Sequence, residues 1–259
     1  MVVRRWRKNA KFLELLNEAS DTFYETPELE FELLLSNGLP LEFDGDYVYL
    51  KTTKTSINEQ TFCIVDIETN GGSVKKGYQI IELGAVKYKN GKIIDKFESL
   101  VYAKEIPTYV QEVTKINLEM LQDAPRLEKV LQDFKIFLED DVFVAHDIKF
   151  DYTFVSDSFE KFHLGKLLNR KICSIDLAKR TIASEKYGLS FLKEVLNIEV
   201  DNHHRAYYDA LTTQIVFEKC LKTIDTNKIN TVLKKEPFKS LKDYSEHDFI
   251  YNGPRIIKN

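Results

Sequence analysis

Cysteine is scarce in this chain. Its 259 residues hold three, Cys63, Cys173 and Cys220, with no CxxC pair and no Cys/His spacing suited to zinc. A disulfide scaffold is therefore excluded, and three free thiols fit a reducing cytoplasm. Cys63 sits in an apolar run and reads as a small buried hydrophobe. Long apolar runs are lacking too, since no stretch approaches the roughly 20 residues that cross a bilayer. Met1 to Lys8 is basic, but a mixed helical pattern follows it instead of an apolar signal region. The expectation is a soluble, cytoplasmic chain with no membrane partner. Internal repeats and low-complexity tracts are missing, which excludes collagen and compositional disorder. An excess of positive charge is missing as well: 37 basic residues face 41 acidic ones, for a formal net charge of −4. A field that attracts phosphate needs the opposite sign, so the balance alone argues against nucleic acid.

What is present divides the chain in three. Residues 1–60 carry 7 basic and 11 acidic residues, residues 61–221 carry 22 and 25, and residues 222–259 carry 8 and 5. The first segment reads as an appendage. Phe12, Leu13, Leu15 and Leu16 recur at helical spacing, and a second helix opens at Pro27 and closes near Asn37-Gly38. Residues 41–43 and 47–50 then alternate around Asp44-Gly45-Asp46, a hairpin pattern. Helices followed by a hairpin suit either a small winged-helix-like module or an appendage packed on the main domain.

Residues 61–221 read as α/β. Phe62-Cys63-Ile64-Val65 is a short apolar run typical of a buried strand. Strands over 79–89 and 92–101 are joined by Asn90-Gly91, a strong hairpin signal. A helical face follows over 125–138, then a strand at 142–145, a helix at 149–162 and a weak strand at 171–174. Helices are expected near 175–184, 189–197 and 205–221. Hairpin-linked strands followed by alternating strands and helices imply a mixed sheet with helices on its faces.

The carboxylates carry the chemistry. The first core strand runs into Asp66-Ile67-Glu68, and strand alternation puts residues 66 and 68 on one face. Two such acids repel each other unless a cation sits between them. Asp151 falls in the first turn after the strand at 142–145. His204 and Asp209 are five residues apart, about 140° on a helix, so they converge only if His204 lies on the loop before the helix that holds Asp209. Four acids and a histidine at strand ends and helix starts occupy the usual ligand position of an open α/β sheet. Hard oxygen donors suit Mg²⁺ or Mn²⁺, and two such ions make a device for cleaving phosphodiesters.

On these residues the chain resembles the DEDD exonuclease superfamily, in the subtype with a histidine, whose best-known members are similar to the epsilon proofreading subunit of bacterial DNA polymerase III. The matching segments are Ile64 to Gly71, Gln79 to Val86, Ile106-Pro107 with Val113 to Ile116, His146 to Asp151, and His204 to Ala210. The resemblance implies a ribonuclease H-like mixed five-stranded sheet flanked by helices, spanning 61–221, with residues 1–60 as a helix-plus-hairpin appendage and 222–259 as a basic, aromatic tail. It implies removal of mononucleotides from a single-stranded or frayed 3′ end of DNA, with RNA as one alternative; a polymerase-associated binding subunit with secondary nuclease activity is the other reading. A DNA polymerase subunit is the candidate partner, and proofreading the candidate role. Asp66, Glu68, Asp151 and Asp209 would hold two Mg²⁺ or Mn²⁺ ions. His204 would take the proton from the attacking water, a task suited to a side chain that titrates near about 6.5. Thr69, Val113, Thr114 and His146 stand where the family meets the terminal nucleotide.

Two positions depart from the family pattern. Asp147 replaces the usual Asn, and Lys115 stands where Gly is frequent. The short clamp-binding motif that often follows such domains has no counterpart in 222–259. The tail instead mixes Lys234 and Lys235 with Phe238, Tyr244, Phe249 and Tyr251, residues that suit stacking on bases or docking on a protein. The four acids also change the meaning of the charge balance. Without them, residues 61–221 carry 22 basic and 21 acidic residues. Bound cations then set the field that a phosphate meets, so substrate binding is expected to depend on metal.

Overall fold

The computed structural model describes residues 27–44, 47–53, 55–201 and 204–224. The helix expected over 11–19 and the basic, aromatic tail lie outside the described residues.

Helix α1 spans Pro27–Ser36, with proline at its first position, where the missing N–H costs nothing. It ends at Gly38 with φ of 89°, a left-handed stop. Strands β1 (Leu41–Asp44) and β2 (Tyr47–Leu50) pair antiparallel as their alternation predicts. The larger sheet follows. Its strands are β3 (Phe62–Thr69), β4 (Ile80–Lys89), β5 (Lys92–Leu100), β6 (Val142–Ala145) and β7 (Lys171–Cys173), in the order β5-β4-β3-β6-β7. The first three are antiparallel neighbours, and β3, β6 and β7 run parallel. Asn90 and Gly91 turn β4 into β5 with φ of 48° and 76°, the mirror-image turn that matches strand twist.

Side-chain alternation builds two cores. Cys63, Val65, Ile67, Leu83, Ala85 and Phe143 pack beneath α4 (Leu127–Leu138) and α5 (Ile148–Lys161), through Phe134, Leu138 and Phe159 among others. Phe62, Ile64, Val86, Tyr88, Val142 and Val144 pack on the other face. That face is covered by α6 (Ser174–Thr181), α7 (Leu189–Val195) and α8 (Ala206–Thr223). Phe217 of α8 meets Phe62 edge to face with ring centroids 5.0 Å apart. By the same alternation Asp66 and Glu68 share a face with Ile64, toward α8.

Several boundaries differ from the sequence reading. Strand β3 runs one residue past the Glu68 end expected, to Thr69, because β4 keeps pairing with it. Two short helices, α2 (Thr108–Thr114) and α3 (Leu118–Leu121), occupy a stretch to which the sequence reading assigned no element. Helix α2 stops at Lys115 with φ of 60°. That left-handed conformation is the one glycine adopts most easily, which accounts for the family's frequent glycine there.

The appendage docks at the N-terminal ends of β6 and β7. Leu168 N–H donates to Asn37 O at 2.8 Å, and Lys135 Nζ reaches Asn37 Oδ1 at 3.0 Å. A Cβ on Gly38 would lie 2.0 Å from Asn169 Oδ1, so only glycine permits this contact. Lys51 Nζ pairs with Asp140 Oδ2 at 3.0 Å, and Arg170 donates to Thr52 Oγ1 at 3.3 Å. The C-terminal ends of β3 and β6 lie at the other end of the sheet. Among the described residues no helix is long and apolar enough to cross a membrane.

Candidate active site

Three elements bring the acids together. β3 pairs with β6 only over 62–64, so Asp66 and Glu68 extend beyond the end of β6. β6 passes through His146 and Asp147 into α5, whose first turn carries Asp151. The Asp151 carboxylate is approached by its own amide and that of Ile67, which ties the start of α5 to β3. Helix α8 opens with Ala206 and holds Asp209 in its first turn, while His204 lies on the preceding loop with φ of 64°. His204 N–H donates to Asp209 Oδ2 at 3.0 Å. Glu68, His204 and Asp209 offer ligand atoms that all lie within 4.8 Å of one another. Asp209 and Asp151 are buried, Asp66 and Glu68 half-buried, and His204 exposed.

The electrostatics of this cluster are strained. Loss of solvent, followed by repulsion from Asp151, Glu68 and Asp209, holds the Asp66 carboxyl well above the usual carboxylate range. Glu68 is pushed up to about 8 by loss of solvent and by Asp209, Glu82 and Asp151, with Arg205 offsetting part of the rise. Asp151 is pushed up to about 8 by loss of solvent and by Asp147, although two backbone amides favour its charged form. Among the described residues, no lysine or arginine forms an ion pair with Asp66, Glu68 or Asp151. Acids held this close, with raised pKa values and oxygen donors in reach, have the chemistry of a hard-cation site. Divalent cations fit the residues present.

The four residues expected at the terminal nucleotide are placed differently from one another. Thr69 is half-buried and donates to Gly71 O at 2.8 Å. Val113 is exposed on α2. Thr114 is buried; its hydroxyl donates to Val110 O and accepts from Ile116 N–H. His146 is buried, with Nε2 2.9 Å from Tyr187 O and Nδ1 2.8 Å from Ser174 Oγ. A carbonyl only accepts, so Nε2 carries the proton and Nδ1 accepts from the serine. Burial lowers the pKa of His146, which suits this neutral form. Asp147 is exposed at the start of α5.

Sequence reasoning gave no role to Glu82 or Arg205. Glu82 is completely buried on β4, directly across from Glu68. Arg205 binds it through Nη2 to Oε1 at 2.6 Å and Nε to Oε1 at 2.9 Å. The available signal was an acid inside the apolar run Ile80 to Val86, which requires a buried partner.

A mixed sheet with antiparallel β5-β4-β3, parallel β3-β6-β7 and carboxylates beyond its central strands defines a ribonuclease H-like nuclease fold. The profile of the family described as exonuclease, of the RNase T type, matches residues 63–217, and the chain belongs to that family. A DNA polymerase III PolC-type from Staphylococcus saprophyticus is 37% identical over 213 residues, covering 79% of this chain. The chain spans only 14% of that relative's length. Among solved structures, exonuclease X in complex with 5′ overhanging duplex DNA superposes with a TM-score of 0.52 and 25% identity, covering 62% of this chain and 92% of that one. The nuclease domain of 3′hExo, a DEDDh family member bound to rAMP, superposes with a TM-score of 0.55 at 15% identity, covering 65% and 94%.

Proposed function

We propose that residues 61–221 form a metal-dependent 3′→5′ exonuclease domain that releases nucleoside monophosphates from DNA 3′ ends. The observation that carries this reading is the convergence of Glu68, His204 and Asp209 beside Asp66 and Asp151. Asp66, Glu68, Asp151 and Asp209 would hold two Mg²⁺ or Mn²⁺ ions, which would supply Lewis acidity. His204 takes the proton of the attacking water, from a loop position beside Glu68 and Asp209. The Asp209 carboxylate accepts the His204 amide, so a single side chain serves the metal site and orders the base. Val113, exposed on α2, and Thr69, at the end of β3, contact the terminal nucleotide. Thr114 and His146, both buried, are assigned to the same nucleotide contact.

The polymerase III relative supports DNA as the substrate, a replicative polymerase as the partner and proofreading as the role. It also supports a cytoplasmic setting, as do three buried free cysteines. Residues 1–60 are read as an appendage, whose described part docks at the far end of the sheet.

End-labelled single-stranded DNA and RNA of matched sequence, incubated with Mg²⁺, test the proposal. The expected result is a 3′→5′ ladder on DNA that EDTA abolishes and that is missing in Asp66→Ala. A ladder on RNA alone would reassign the substrate. No ladder on either, or one unchanged in Asp66→Ala, would overturn the reading.

A further inference from the structure

We propose that Glu82 and Arg205 form a positioning clamp that holds the His204 loop in its working place; this rests on the exonuclease reading above. Glu68 and Glu82 are direct cross-strand partners on one face of the sheet. Like charges in that relation oppose each other. The structure separates their tasks. Arg205 grips Glu82 with its fork, Nη2 to Oε1 at 2.6 Å and Nε to the two carboxylate oxygens at 2.9 and 3.1 Å. Charge-assisted contacts of this kind are strong and fix geometry as well as charge.

The same carboxylate also holds the backbone. Glu82 Oε2 accepts the Ala206 N–H at 2.9 Å, the first amide of α8. Gly84, two residues along the same face, lets the helix sit directly on the strand. A Cβ there would lie 2.2 Å from Tyr207 N. The start of α8 is therefore fixed to β4 through backbone, side chain and close approach.

His204 immediately precedes this anchor. Its φ of 64° is uncommon for a residue with a Cβ and persists only where surroundings impose it. Arg205 holds it from the C-terminal side, and the Asp209 carboxylate holds its amide. Arg205 touches neither water nor scissile phosphate in this scheme. It acts through His204.

The test is a double-mutant cycle on the full chain at saturating Mn²⁺, with folding checked by circular dichroism. Arg205→Ala is expected to lower kcat by roughly 100-fold, the usual scale for a catalytic group displaced by about 1 Å. KM should stay unchanged, and Arg205→Lys should recover part of the loss. Glu82→Gln should resemble Arg205→Ala. In a His204→Ala background, Arg205→Ala should add no further loss, because both substitutions remove one function. If folded Arg205→Ala keeps wild-type kcat, or its loss is the same in both backgrounds, the clamp does not act through His204. Should Arg205→Ala fail to fold, Arg205→Lys carries the same comparison. An inactive wild type would instead reject the exonuclease reading, so the two failures are distinct.

Discussion

At the start of β6, Glu139, Asp140 and Asp141 stand in a row, and the chain supplies each with a cation. Lys87 Nζ lies 2.7 Å from Glu139 Oε2 and 3.0 Å from Asp141 Oδ2, and Lys51 Nζ lies 3.0 Å from Asp140 Oδ2. Desolvation works against the Lys87 ammonium, but its bonds to Glu139 and Asp141 outweigh it and raise its pKa. At the other end of the same sheet Asp66, Glu68, Asp151 and Asp209 gather around β3, α5 and α8. There Asp66, Glu68 and Asp151 have raised pKa values and form no ion pair with lysine or arginine among the described residues, whereas Asp141, also raised by burial, has Lys87 to offset part of the rise. Among the described residues Glu82 pairs with Arg205, and it is the acid that anchors a helix. The difference separates acids that the chain pairs with its own lysines from acids that the proposed cations would neutralise.

The strongest break in this comparison is Asp66→Ala. Gel assays with labelled DNA should show ladder formation reduced to background. Its metal-free melting temperature should rise, because one repelling charge has gone. A smaller effect of the opposite kind is expected from Asp141→Asn at the other end. It leaves Lys87 with a weaker partner in a buried site, and urea denaturation should report a loss of about 1–3 kcal/mol with activity retained.

The pH dependence sharpens the contrast. A carboxyl whose folded pKa is raised binds more protons folded than unfolded between its ordinary and its raised value. Glu68 and Asp151, each near 8, therefore favour the fold at low pH and lose that contribution as pH rises toward 8. In EDTA, calorimetry should show the melting temperature falling between pH 5 and 8. Added Mn²⁺ should flatten the fall, because bound cations neutralise the same charges. The smallest effect belongs to Lys51→Ala. Lys51 and Asp140 are 49% and 35% exposed, so chemical denaturation should detect less than about 1 kcal/mol.

Much of this was legible in the sequence, and the exceptions have physical reasons. Alternation and helical periodicity located the five core strands and the long helices. The β3 end was read to within one residue, since pairing with β4 carries the strand through its acids to Thr69. The α2 and α3 helices, of seven and four residues, are too short for periodicity to show. Spacing showed that His204 had to lie on a loop to approach Asp209. It could not show that Asp209 would accept the His204 amide, nor that His146 would have both ring nitrogens engaged by Ser174 and Tyr187. The Glu82–Arg205 pair joins residues 123 positions apart, which no local pattern reveals.

The central claim is that the acids at the C-terminal ends of β3 and β6 are a cation site and those before β6 are not. Thermal unfolding of EDTA-treated protein at increasing Mn²⁺ tests it, because a ligand that binds only the fold stabilises it by RT ln(1 + L/Kd), with L the free ligand concentration. The account predicts that wild type and Asp141→Asn gain melting temperature with Mn²⁺ and that Asp66→Asn and Glu68→Gln gain little. An equal gain in all four proteins, or none in wild type, would contradict it.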